Sequence, residues 1–72
     1  MGYELMAEPR PAPGGHEVYL WHVVPDGHQQ SLCHRELGPG ALVLPVADLE
    51  SLHRSRCEAC RRAYVATFPP AD

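Results

Sequence analysis

Apolar and polar positions are most clearly organised in "HEVYLWHVV" (16–24). There Val18, Leu20, His22 and Val24 fall on one side, and Tyr19, Trp21 and Val23 on the other. A run so rich in β-branched and aromatic residues suits a pleated strand. "PDGH" (25–28) supplies turn chemistry through Asp26-Gly27, and "QQSLCH" (29–34) reads as the returning strand. The pattern therefore predicts a β-hairpin over about 16–34. Upstream, "MGYELMAE" (1–8) reads as a short strand or a loose arm, and "PRPAPGG" (9–15) as an extended linker or turn. Downstream, Gly38-Pro39-Gly40 breaks any regular element, and "ALVL" (41–44) suits a brief third strand. Helical spacing returns at Leu49 and Leu52, then at Cys57, Cys60, Ala63 and Tyr64. One or two helices are expected over about 48–67, with Asp48 as N-cap or early-turn acid and Pro69-Pro70 as the stop. The expected architecture is α+β, with an arm or linker over 1–15, one domain over 16–68 and a tail over 69–72.

Composition makes that architecture hard to sustain unaided. The chain has 72 residues and is 44% hydrophobic, but with eight prolines, six glycines and only five aromatics (one Trp, three Tyr, one Phe) its core is thin. A domain this small buries only roughly 60% of its unfolded surface and usually needs a disulfide framework, a metal or a partner subunit. Three cysteines leave one unpaired, and "MGYELMAEPR" has neither the basic nor the apolar region of a secretory signal. No apolar run approaches the ~20 residues of a membrane span. A cytoplasmic setting is expected, where thiols serve metals or catalysis more often than disulfides. The net charge of −3 argues against a binder that relies on neutralising phosphates, although every basic residue is an arginine.

The cysteines are Cys33, in "LCHREL", and the C-x-x-C pair Cys57 and Cys60, in "SRCEAC". A tetrahedral structural zinc site takes four ligands, Cys₃His being a standard set. Five histidines compete for the fourth place: His16, His22, His28, His34 and His53. In a hairpin turning near 26–28, His22 and Cys33 project to the same face with Cβ atoms roughly 4.5–8 Å apart. His34 then points to the opposite face, His28 sits at the turn tip, and His16 is too far back. His53 is the main competitor, because His53, Cys57 and Cys60 would share one face of a continuous helix. His22 ranks above it, since Cys57 and Cys60 suit the first turn of a helix, whose free N–H groups stabilise thiolates. The ligand set read from the sequence is His22, Cys33, Cys57 and Cys60, holding one Zn²⁺ per chain.

A hairpin giving two ligands and a helical first turn giving two more resembles a treble-clef zinc finger. That family usually presents a C-x-x-C knuckle as its first pair, whereas here ten residues separate His22 from Cys33. Over residues 21–64, the spacing H-x₁₀-C-x₂₃-C-x₂-C also resembles short zinc-finger proteins common in actinobacterial genomes. The resemblance implies a metal site and no particular activity.

Other chemistries compete for the same residues. His34 and Glu36, followed by Cys57 and Cys60, spell H-x-E…C-x-x-C, which resembles the zinc-dependent cytidine deaminase signature. The proline usual before the first cysteine is Arg56 here, and the chain is short for that family's sheet flanked by helices. Arg54, Arg56, Arg61 and Arg62 surround the C-x-x-C and could meet a nucleic acid, or form a solvated helix face paired with Glu50 and Glu58. If the metal and helix take the His22 face, Tyr19, Trp21 and Val23 are left for a protein partner, unless "YELM" or "ALVLP" folds over them. Four protein ligands leave no position for an activated water, so a structural site is expected rather than an enzyme. The sequence is thus read as an interaction or accessory module. A protein partner ranks first and nucleic acid second, with neither membrane nor small-molecule substrate.

Overall fold

The computed structural model describes residues 2–15 and 17–68. His16, expected to open the hairpin, and the tail 69–72 lie outside the described residues. The α+β architecture is present: strands β1 (Tyr3–Pro11), β2 (Glu17–Pro25) and β3 (Val43–Pro45), a 3₁₀ helix at Val46–Ser51, and helix α1 (Glu58–Val65). The sheet is antiparallel in the order β2-β1-β3, with Met6 opposite His22, Ala7 opposite Trp21 and Leu5 opposite Leu44.

The partner of β2 differs from the expected one. Residues 17–25 pair with 3–11 and not with 29–34. Leu5, Met6 and Ala7 are consecutive and all buried, the mark of a strand covered on both faces, and so β1 takes the centre of the sheet. The Gln29-Gln30-Ser31 stretch has no comparable apolar content to offer a second strand face. Nor do residues 3–15, within the span read as an arm or linker over 1–15, form one: Tyr3–Pro11 are β1. "PGG" is the hairpin turn, with Gly14 and Gly15 at φ 83° and 76°, a left-handed conformation that glycine adopts without steric cost. Pro9 and Pro11 fit inside β1 because they fall in step with Ala7, whose N–H points away from β2 to the Leu42 carbonyl. At those positions a missing N–H costs no bond to β2.

Two small cores result. On one face Leu5, Val23, Leu49 and Cys60 are buried together, flanked by Trp21, Leu44, Leu52 and Tyr64. On the other, Met6, Val24 and Leu37 pack with Ala41. Helix α1 therefore lies over the Trp21–Val23 side, not the His22 side. Leu44 from "ALVLP", Val46 just after it, and Tyr3 and Leu5 from "YELM" complete the cover. The expected helical region is two pieces separated by a turn, with Asp48 an early-turn acid of the 3₁₀ helix. An isolated helix of only eight residues is marginal. Tyr64 holds α1 to the sheet through an edge-to-face contact with Tyr3, ring centroids 5.2 Å apart.

As an edge strand, β2 turns the backbone groups of Trp21 and Val23 outward. They are met by the segments carrying the cysteines: Trp21 N–H donates to Ser55 O (2.7 Å), Cys57 N–H to Trp21 O (2.8 Å) and Leu32 N–H to Val23 O (2.9 Å). Replacing Leu5, which is fully buried, by alanine should destabilise the protein by about 2–5 kcal/mol. Denaturant unfolding of the wild-type and variant chains, prepared identically, measures the difference.

Candidate metal centre

His22, Cys33, Cys57 and Cys60 converge, with one ligand atom from each lying within 4.8 Å of all the others. The cluster can hold a metal ion. His22 is buried on β2, and its Nδ1 lies 3.4 Å from Cys33 Sγ and 3.6 Å from Cys60 Sγ. Cys33 and Cys57 sulfurs are 3.9 Å apart.

Cys33 reaches the cluster from a tight turn and not from a paired strand. Ser31 N–H donates to Arg35 O (2.8 Å), His34 N–H to Ser31 O (2.9 Å) and Arg35 N–H to Ser31 Oγ (2.9 Å). His34 closes this turn at φ 70°, an unusual conformation for a residue with a Cβ. The Ser31 hydroxyl, which accepts from the Arg35 N–H, also lies 3.1 Å from the Cys33 sulfur, and it can donate its hydrogen there once that sulfur is a thiolate. Cys57 is the N-cap residue of α1 and Cys60 lies in its first turn. The positive end of the helix dipole therefore faces the thiols.

The protonation tendencies of the sulfurs differ. Burial pushes Cys33 upward, but its contacts with Ser31, Cys60, His22 and Cys57 outweigh that and bring it down to about 7. Burial dominates at Cys60, which is pushed up to about 11. A cation among them would favour thiolate throughout, since a coordinating thiol gives up its proton.

Glu8, on β1, orients the histidine. Its Oε1 lies 2.9 Å from His22 Nε2, and its Oε2 is gripped by Arg35 at 2.6 and 2.7 Å. The Arg35 hydrogen bond, opposed by burial and aided by His22, holds the Glu8 pKa down to about 2. An ionised carboxylate only accepts, so His22 Nε2 is the donor to Glu8, and in the neutral ring this leaves the Nδ1 lone pair for the sulfurs. Through Arg35 the same carboxylate ties down the turn bearing Cys33.

The competing histidines stay outside: His28, His34 and His53 are exposed and not in the cluster. The H-x-E…C-x-x-C arrangement is therefore not assembled, since His34 and Glu36 are both exposed on the turn and beyond it. Arg56 is almost covered, donating to Leu49 O (3.1 Å) and Glu58 (3.0 Å), while Arg61 donates to Glu50 (3.2 Å). Arg54 and Arg62 are exposed and make no ion pair among the described residues. Tyr19 is exposed and Trp21 half-buried, their rings 6.3 Å apart. Glu8, Ser31 and Arg35 are functional neighbours that sequence reasoning missed. For Glu8 the signal exists only once Met6 is set opposite His22, which makes Glu8 a diagonal neighbour of the histidine on the same face.

No protein-family model, curated protein or solved structure matches the chain. Among the described residues, no helix is long and apolar enough to cross a membrane.

Glu8→Gln should weaken metal affinity by about 10–100-fold, as loss of a carboxylate behind a ligating histidine typically does. Competition with a chromophoric chelator reads that change, and the circular dichroism of the metal-saturated variant should match the wild type.

Proposed function

We propose that His22, Cys33, Cys57 and Cys60 hold one structural Zn²⁺ per chain, in a treble-clef-like module that presents a surface to another protein. The shape of the ligand cluster carries this reading. Bonds of about 2.3 Å to sulfur and 2.0–2.1 Å to nitrogen, arranged tetrahedrally, imply edges of about 3.5 Å between N and S and about 3.8 Å between two sulfurs. Two of the three N–S edges are 3.4 and 3.6 Å and one of the three S–S edges is 3.9 Å, close to those values, and all six edges lie within 4.8 Å. Three thiolates and an imidazole with its lone pair preset make a donor set suited to zinc. They fill all four positions, leaving none for an activated water, which favours a structural role over catalysis. Ligation through thiolates also fits a reducing compartment such as the cytoplasm. The spacing that resembles short actinobacterial zinc-finger proteins accords with the same assignment.

The arginines weigh on the choice of partner. Arg56 and Arg61 are paired with Glu50 and Glu58, so two of the four arginines around the C-x-x-C are neutralised and only Arg54 and Arg62 are left without an ion pair among the described residues. That favours a protein partner over a nucleic acid, whose affinity rests on free cations.

Elemental analysis of the purified chain should give about one zinc per molecule, with a ratio near zero overturning the assignment. Removing the ion with a strong chelator should unfold the domain cooperatively, because binding free energy is folding free energy in such modules. Far-ultraviolet circular dichroism follows that loss, and unchanged spectra would show the ion to be incidental. Cys60→Ser should reproduce the effect of the chelator.

A further inference from the structure

Beyond Trp21 the outer edge of β2 is bare. Tyr19 falls in step with Trp21 and Val23, so its N–H and C=O point away from β1, and among the described residues they have no hydrogen-bond partner. The segment 55–57, which pairs in parallel with this edge at Trp21, leaves it just upstream through the turn that ends with Ser55 N–H donating to Leu52 O. The opposite side of the ribbon is closed to pairing: Pro9 and Pro11 occupy the outward positions of β1 beyond β3 and bring no N–H. Proline is a common protection for a sheet edge, and the Tyr19 edge has none.

A groove of about 650 Å³ runs along that unprotected edge. Side chains of both sheet faces line it, Val18 from one and Tyr19 and Trp21 from the other, with Arg10, Arg54 and Ser55 alongside. No carboxylate is among its described lining residues, although the chain carries a net charge of −3. Arg54 has no ion pair among the described residues, and Arg10 has only a 3.4 Å contact with Glu8. Unpaired strand groups, an aromatic wall, the unpaired Arg54 and the weakly paired Arg10 describe the receiving half of a strand-addition site. A single-stranded nucleic acid would use the rings and the cations but leave the Tyr19 backbone groups unpaired.

We propose that the β2 edge at Tyr19, upstream of its pairing with residues 55–57, takes an extended acidic peptide segment of another protein as an added strand. This rests on the reading of the chain as a metal-held interaction module and names the partner chemistry for it. Backbone groups of Tyr19 pair with the incoming segment, Tyr19 and Trp21 receive its apolar side chains, and Arg10 and Arg54 meet its carboxylates.

Random peptides displayed on phage, panned against the zinc-loaded full chain, supply the probe. The selected sequence is then synthesised and titrated, with amide chemical shifts and hydrogen exchange as readouts. The expected result is an acidic, proline-free consensus that perturbs residues 17–21 and slows exchange of the Tyr19 amide. Tyr19→Pro copies the protection present on β1 and removes no bond to β1; it should keep its zinc and lose peptide binding. Arg54→Glu should lose the acidic peptide and select basic ones. The proposal is overturned if a zinc-loaded chain selects no peptide, or selects peptides that are not acidic or that perturb another face. It is equally overturned if oligothymidylate or a second copy of the chain, and not the peptide, occupies the edge. Zinc content measured on the same sample separates the two readings: a chain without metal fails the zinc assignment, whereas a loaded chain with a silent edge fails only this one.

Discussion

The outer edge of β2 is the constraint on which the rest of this structure depends. A strand at the margin of a sheet must find partners for its outward N–H and C=O groups or leave them to water. Here both groups of Trp21 and the carbonyl of Val23 find them in two later segments, 55–57 and Leu32. Those segments carry Cys57 and Cys33, so satisfying the backbone brings the thiols beside His22. The contacts that satisfy the backbone are thus the same ones that place the ligands. Edge and ligands support each other: the strand edge sets the approach of the cysteines, and a shared ion would fix the segments that cover the edge.

Glu8 extends this coupling across the sheet. It stands on the central strand and holds the imidazole of β2 with one oxygen and Arg35 of the Cys33 turn with the other. The histidine tautomer is therefore set by a residue on a different strand, and the same carboxylate ties the Cys33 turn to β1. Charge balance follows the same economy around α1, where Arg56 bridges the 3₁₀ helix to Glu58 at the helix start, immediately before the first cysteine of the pair.

Much of this was legible in the sequence, though not always for the right reason. The alternation in residues 17–24 located β2, the C-x-x-C located the opening of α1, and "ALVL" located β3. The cluster of His22 with Cys33 was also anticipated, but from a register between 16–24 and 29–34 that does not form. The strand that pairs with β2 lies upstream, where prolines at 9 and 11 mimic a linker. Proline is a breaker only when its nitrogen faces a pairing partner, and facing is a property of register that one sequence does not display. For the same reason Glu8 looked like an unremarkable acid. Its role depends on which residue stands diagonally across a strand pair. Local propensity records the strands, and long-range pairing decides which polar side chains meet.

The order of the ligands along the chain has a consequence for biosynthesis. His22 emerges early, but the last two sulfurs follow some distance later at Cys57 and Cys60. At translation rates of about 5–20 residues per second, seconds elapse between the first donor and the last. Until β3 follows at Val43–Pro45, β1 and β2 form a lone two-stranded ribbon, which is marginal in water. Coordination of an ion by all four side chains would therefore come late, after a stage in which β2 lacks the segment 55–57 that covers its edge.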